Sequence, residues 1–271
     1  MASLRVSRKS FARHYAEGTK ALSKMVANLP DRPSPDEIHD LRVATRRIQM
    51  MRGLLLRGLR KSEKSKNFDF ALKSILKATS QLRDMDTVMG SLESHRRSAT
   101  ADLLVNLENQ RSDAATRAKL ATGVLREILA SEPDPSGLSG KRLSRRLRKR
   151  VRKHSKAAAS LLNAVLDDES KVEELHSLRK EVKKMRYLIE LADRAPARLS
   201  SLAKWQESLG AVRDLDVAIT HLEGAHGDSG QGSILELRRA RHSNYLKLVR
   251  DYRAHRKLAP GVGRLPSVDA P

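Results

Sequence analysis

Two stretches of this chain repeat each other, and that repeat limits what the chain can become. Ile38-His39-Asp40-Leu41-Arg42 returns at an offset of 137 residues as Leu175-His176-Ser177-Leu178-Arg179. A second pair follows at an offset of 130, joining Leu82-Arg83-Asp84-Met85-Asp86 to Val212-Arg213-Asp214-Leu215-Asp216. Self-similarity of this kind means that one structural unit is used twice. Because the two offsets differ, the first half carries an extra loop's worth of residues, placed around Lys61 to Asn67.

Apolar residues recur at helical spacing almost throughout, interrupted by short turn-rich stretches that leave about eight helical segments. The clearest interruptions are 29–35, 131–137 and 224–232. The middle one divides the chain into two halves of four helices, 7–130 and 138–258, within a single domain spanning 1–258. Residues 259–271 are expected to be a disordered tail. Aromatics make up only 3% of a 271-residue chain, which favours aliphatic helix packing over a β-sandwich or barrel. The expected fold class is all-α.

Capping patterns mark where the repeated helices begin. Ser34 with Glu37, and Ser170 with Glu173, each have the spacing of a capping box ahead of the histidine. The opening helices of the halves align at an offset of 136. Phe11, Tyr15, Leu22, Met25, Val26 and Leu29 correspond to Leu147, Val151, Ala158, Leu161, Leu162 and Val165 as core positions. Opposite them lie Lys9, Arg13 and Lys20 in one copy, and Arg145, Lys149, Arg152 and Lys156 in the other.

Charge narrows the choice of partner. Lys and Arg number 54 against 32 Asp and Glu, a net charge of +22, far beyond what solubility requires. A polyanion is implied: nucleic acid, an anionic membrane surface or a phosphate polymer. At about 100° per residue, Leu41, Ala44, Ile48, Met51 and Leu55 share one helix face, with His39, Arg42 and Arg46 roughly opposite and Arg47 on a flank. In the second copy Leu178, Met185, Leu188 and Ile189 face inward. His176, Arg179, Lys180, Lys183, Arg186 and Tyr187 spread over the other side, with Lys184 on a flank. Any single Lys or Arg here is most simply a solvated surface residue. Taken together, the faces look one-signed and coincide between halves, and packed like charges call for an anion.

Other chemistries find less support. Within the cationic clusters no carboxylate or further His stands one helical turn from His39 or His176 to complete a ligand set, and the surrounding Arg and Lys oppose a divalent cation, so no metal and no cofactor are expected. Asp84 with Asp86, and Asp214 with Asp216, diverge by about 200° on a helix and cannot share one ion. Arg83, Asp84, Arg213 and Asp214 are instead read as structural ion pairs that fix helix packing. No Walker loop, dinucleotide fingerprint, HExxH or GxSxG motif occurs. There is no cysteine. Neither an apolar leader nor a run of about 18 apolar residues is found, so a cytoplasmic protein without a membrane span is expected.

The segments IHDLRVATRRIQMMRGLL at 38–55 and LHSLRKEVKKMRYLIEL at 175–191, backed by LRDMDTV and VRDLDVA, resemble the CHAD family, the conserved histidine α-helical domain. The resemblance runs from about Ser7 to Leu258. It implies two four-helix bundles related by a pseudo-twofold axis around a basic central cavity that accommodates inorganic polyphosphate. On this resemblance His39, Arg42, Arg46 and Arg47 match the first motif, and His176, Arg179, Lys180, Lys183, Lys184, Arg186 and Tyr187 the second; Lys9, Arg13, Lys20, Arg145, Lys149, Arg152 and Lys156 on the opening helices match by pattern and are expected to bind polyphosphate with them. Val43 stands where the second copy has Lys180, and Gln49 where it has Arg186, so the two walls should differ in charge density. Binding without catalysis is expected, in the cytoplasm and at polyphosphate granules. The leading rival is a nucleic-acid-binding helical protein, which the same charge would serve.

Overall fold

Local chemistry sets the helix starts in the first half. The computed structural model describes residues 4–55, 61–94, 101–130, 139–193, 199–225 and 231–258. Ser7 caps α1 (Arg8–Ala27) by accepting from the Ser10 amide at 3.1 Å. Ser34 opens α2 (Pro35–Arg52) with the full reciprocal box. Its hydroxyl accepts from the Glu37 amide, and Glu37 accepts from the Ser34 amide at 2.7 Å. Further helices are α3 (Glu63–Ala78), α4 (Ser80–Glu93), α5 (Ala101–Gly123), α6 (Arg126–Ala130), α7 (Gly140–Asp167), α8 (Val172–Ile189), α9 (Leu199–Ala225) and α10 (Gln231–Leu258). Among the described residues there is no strand, and the fold is all-α. The interruption at 131–137, residues 226–230 of the last one and the tail at 259–271 lie outside the described residues.

Two expectations about element boundaries need correction. The second capping box does not form. Lys171, with no side-chain cap, precedes α8, and Ser170 instead donates both its amide, at 2.8 Å, and its hydroxyl, at 2.6 Å, to Asp168 in the turn before. A nearer acceptor has won, and Glu173 and Glu174 support the helix start only through its dipole. The extra residues of the first half are also not a loop. Residues from Glu63 are helical, so α3 starts six residues ahead of Asp69, the position that matches the start of α9 at Leu199 under the 130 offset.

That added helix gives Arg52 its surroundings. Arg52, only 1% exposed, donates to the Ser65 carbonyl at 2.9 Å, the Ser65 hydroxyl at 2.7 Å, the Tyr15 hydroxyl at 3.1 Å and Asp69. Its guanidinium also lies 4.9 Å from the Phe68 ring centre. Under the 137 offset the same position in the second half is Ile189, a buried apolar side chain. The first copy therefore buries a satisfied cation where the second buries hydrocarbon.

The chain folds as two compact units. One takes Arg5–Asp86 and Leu104–Arg146, and the other takes Thr87–Leu103 and the chain from Leu147 onward, with Leu4. In the first unit α1 packs on α2 and α6, and α3 on α2 and α6. In the second, α9 packs against both α8 and α10. The expected core of the opening helices is buried except at Met25 and Leu161, two matching positions that are both half-buried. Each fully buried aliphatic side chain among them contributes roughly 1.5–3 kcal/mol. Gly18 lets α1 approach α2 closely, since a Cβ there would lie 2.8 Å from Ile48 Cδ1.

Candidate functional site

In the first unit the cationic side of α2 carries His39 and Arg47 exposed, with Arg42 and Arg46 half-buried. Arg42 is also an anchor. Its Nη1 donates to the Leu76 carbonyl and to the Thr79 hydroxyl, both at 2.7 Å, where α3 gives way to α4. Burial lowers the Arg42 guanidinium to about 10; the charges of Arg46 and Arg83 push the same way and Asp84 opposes them. Three cations thus crowd one region of α2 and α4.

The second unit repeats the arrangement on α8 with different details. His176 is half-buried and its Nδ1 has no hydrogen-bond partner. Burial, then Arg213, Lys180 and Arg179, push its imidazole down to about 4, against a smaller opposing effect of Glu173. Arg179 lies along the backbone of α9, where a Cβ on Gly210 would sit 3.8 Å from its guanidinium, and it approaches Asp214 at 3.7 Å. Lys180 is exposed and Lys183 half-buried.

The rest of the second motif departs from expectation. Lys184 is bound to Glu181 at 2.5 Å and Arg186 to Glu190 at 2.8 Å, both along the same helix. The face is therefore less one-signed than the run of basic residues suggests. Tyr187 is 5% exposed and does not join the polar side. A tyrosine ring gains from burial where a cation loses, so angle alone misplaces it. On the opening helices Lys9, Arg13, Lys20, Arg145, Lys149, Arg152 and Lys156 are all exposed.

Of the ion pairs expected from Arg83, Asp84, Arg213 and Asp214, one joins Asp214 to Arg179 at 3.7 Å between α9 and α8, and the shorter packing pairs lie elsewhere. Arg83 and Asp84 act on the charge of Arg42, and Arg213 on that of His176, so these residues belong to the electrostatic setting of the two faces. The packing pairs use the second aspartate of each motif. Arg111 Nε donates to Asp86 at 2.8 Å and Arg241 Nε to Asp216 at 2.6 Å. Burial raises both carboxyls, while the paired arginines draw them back down. Each arginine also reaches a carbonyl ahead of the histidine helix, Pro33 at 2.7 Å and Glu169 at 3.0 Å. A signal for this was present, because Arg111 and Arg241 stand at the same 130 offset as the aspartates. The bond between His154 and Glu181 at 2.6 Å, which ties α7 to α8, had no such signal.

Among the described residues no cluster of three or more His, Cys, Asp or Glu could hold a metal, and no helix is long and apolar enough to cross a membrane. A family model for the CHAD domain matches residues 16–223. Of solved structures, the crystal structure of the CHAD domain from the plant Ricinus communis matches with a TM-score of 0.64 at 18% identity, covering 96% of this chain and 90% of that one. At that identity the likeness shows a shared fold. No curated protein matches the chain.

Proposed function

Because this chain belongs to the CHAD domain family, we propose that it binds inorganic polyphosphate through the cationic faces of α2 and α8, without hydrolysing it. The observation that carries the reading is the crowding of positive groups. Arg42 sits among Arg46 and Arg83, and His176 among Arg179, Lys180 and Arg213, each group pushed toward its neutral form first by burial and then by these neighbouring charges. A polyanion relieves that repulsion at both places.

Polyphosphate suits such faces because it offers charge and little else. It has no base to stack or read, so cation density and geometry decide affinity. Arginine can clamp two oxygens and lysine can follow a mobile chain. The carboxylates nearby are held by cations: Glu181 by Lys184 and His154, Glu190 by Arg186, Asp216 by Arg241. Such a protein would associate with polyphosphate granules in the cytoplasm.

The test compares wild type with a variant carrying Arg46→Ala, Arg47→Ala, Lys180→Ala and Lys183→Ala. Arg42 and Arg179 are spared because their guanidinium groups also brace helix contacts. Affinity for long-chain polyphosphate should fall about tenfold or more, with helical circular dichroism unchanged. Unaltered affinity would remove these faces from the site. Duplex DNA competing equally at the same phosphate concentration and moderate salt would favour the nucleic-acid reading.

A further inference from the structure

The exposed side of α7 carries far more positive charge than the fold requires. Within the second unit Lys149, Arg152, Lys153 and Lys156 are exposed, at helical angles that fall within about 100° of one another. No carboxylate occurs in the sequence between Gly140 and Leu166.

Comparison with the other copy shows that this density is an addition. Under the 136 offset, Lys149, Arg152, Lys153 and Lys156 match Arg13, Ala16, Glu17 and Lys20 on α1, all exposed. The same helix face is therefore built elsewhere in the chain with two cations, a neutral residue and an acid. On α7, Lys149 with Lys153 and Arg152 with Lys156 are like charges four apart, which weaken a helix instead of supporting it.

The row also points away from the α8 face. His154, which meets Glu181 of α8 at 2.6 Å, stands about 160° around α7 from the middle of the row. Lys149, Arg152, Lys153 and Lys156 therefore project from the side of α7 opposite its contact with α8. The exposed residues of the row between Lys149 and Lys156 are Lys and Arg alone, with no Asn, Gln or aromatic to read or stack a base.

We propose that this face of α7 is a second polyphosphate-binding surface, separate from the α8 face, which lets one protein hold two strands and cross-link long chains. The inference rests on polyphosphate binding by the α8 face and adds a function to it. Two separate contacts on one protein raise the apparent affinity for a chain long enough to engage both, and they join strands when each is taken by a different chain.

The experiment uses the full chain with long-chain and short-chain polyphosphate, for wild type and a Lys149→Gln, Lys153→Gln, Lys156→Gln variant. Calorimetry with short chains should give one more strand per protein in wild type than in the variant. Light scattering on mixing with long chains should be strong for wild type and lost in the variant, with circular dichroism unchanged. Equal stoichiometry and scattering in both proteins would overturn the second surface, as would complete loss of binding in the variant. Loss of duplex DNA binding alone in the variant would overturn the choice of occupant. Wild type that binds no polyphosphate would instead defeat the functional reading on which this one stands.

Discussion

Arg241 holds Asp216 at 2.6 Å from a position 25 residues further along the chain, and the other unit repeats the relationship, at the same sequence separation, between Arg111 and Asp86. Both arginines reach on to a backbone carbonyl just ahead of a histidine helix. The clamp joins three segments in each unit, tying the residues ahead of α2 to α5 and those ahead of α8 to α10. In the second unit Glu169 adds a carboxylate to Arg241 at 2.6 Å and accepts from, or donates to, His242 at the same distance.

Breaking the clamp should therefore be costly in either unit. Arg241→Ala leaves the buried Asp216 carboxylate without its cation, and removing one member of a buried pair typically costs about 3–5 kcal/mol. Arg111→Ala should behave in the same way toward Asp86. Urea unfolding of each variant checks this, and a double variant with Asp216→Leu should recover a large part of the loss. A loss below about 1 kcal/mol would place the pair among surface ion pairs.

Arg52 makes a related prediction with a different remedy. Arg52→Met deprives Asp69, the Ser65 carbonyl and the Tyr15 hydroxyl of a donor at once, and should cost about 3 kcal/mol or more. Adding Asp69→Leu should restore much of it, because the corresponding Ile189 shows that this place in the fold accepts hydrocarbon. Equilibrium unfolding of the single and double variants separates the two effects.

His176 ties stability to pH. Its imidazole is lowered from an ordinary 6.5 to about 4 in the fold, so the unfolded chain takes up a proton first as the solution is acidified. Stability from this group is present above pH 6.5 and is lost as pH falls from 6.5 toward 4. A bound polyanion beside Arg179, Lys180 and Arg213 would raise the imidazole again, so binding should take up a proton and tighten over the same window. An NMR titration of His176 with and without polyphosphate tests both statements, and His176→Gln should flatten the acid side of both profiles.

Much of the fold was readable from particular residues. Ser34 and Glu37 form the box that their spacing implies, and the aligned apolar positions of α1 and α7 are buried together, deviating only at the matched pair Met25 and Leu161. The candidate faces were less readable. Spacing placed Tyr187 with the cations although it is buried, and it did not show that Glu181 and Glu190 occupy Lys184 and Arg186. It also named the first aspartate of each repeated motif for ion pairing and passed over the second, which Arg111 and Arg241 hold.

The division has a physical origin. Helix formation, capping and the apolar stripe depend on residues within about four positions of each other, so the order of amino acids is enough to specify them and, through the repeat, to specify them twice. Whether a given cation remains available to a partner depends on what lies beside it in space. Arg42 is tied to a carbonyl 34 residues away and Arg241 to one 72 residues away, while Lys149, Lys153 and Lys156 on α7 are exposed, and folding alone brings about that difference.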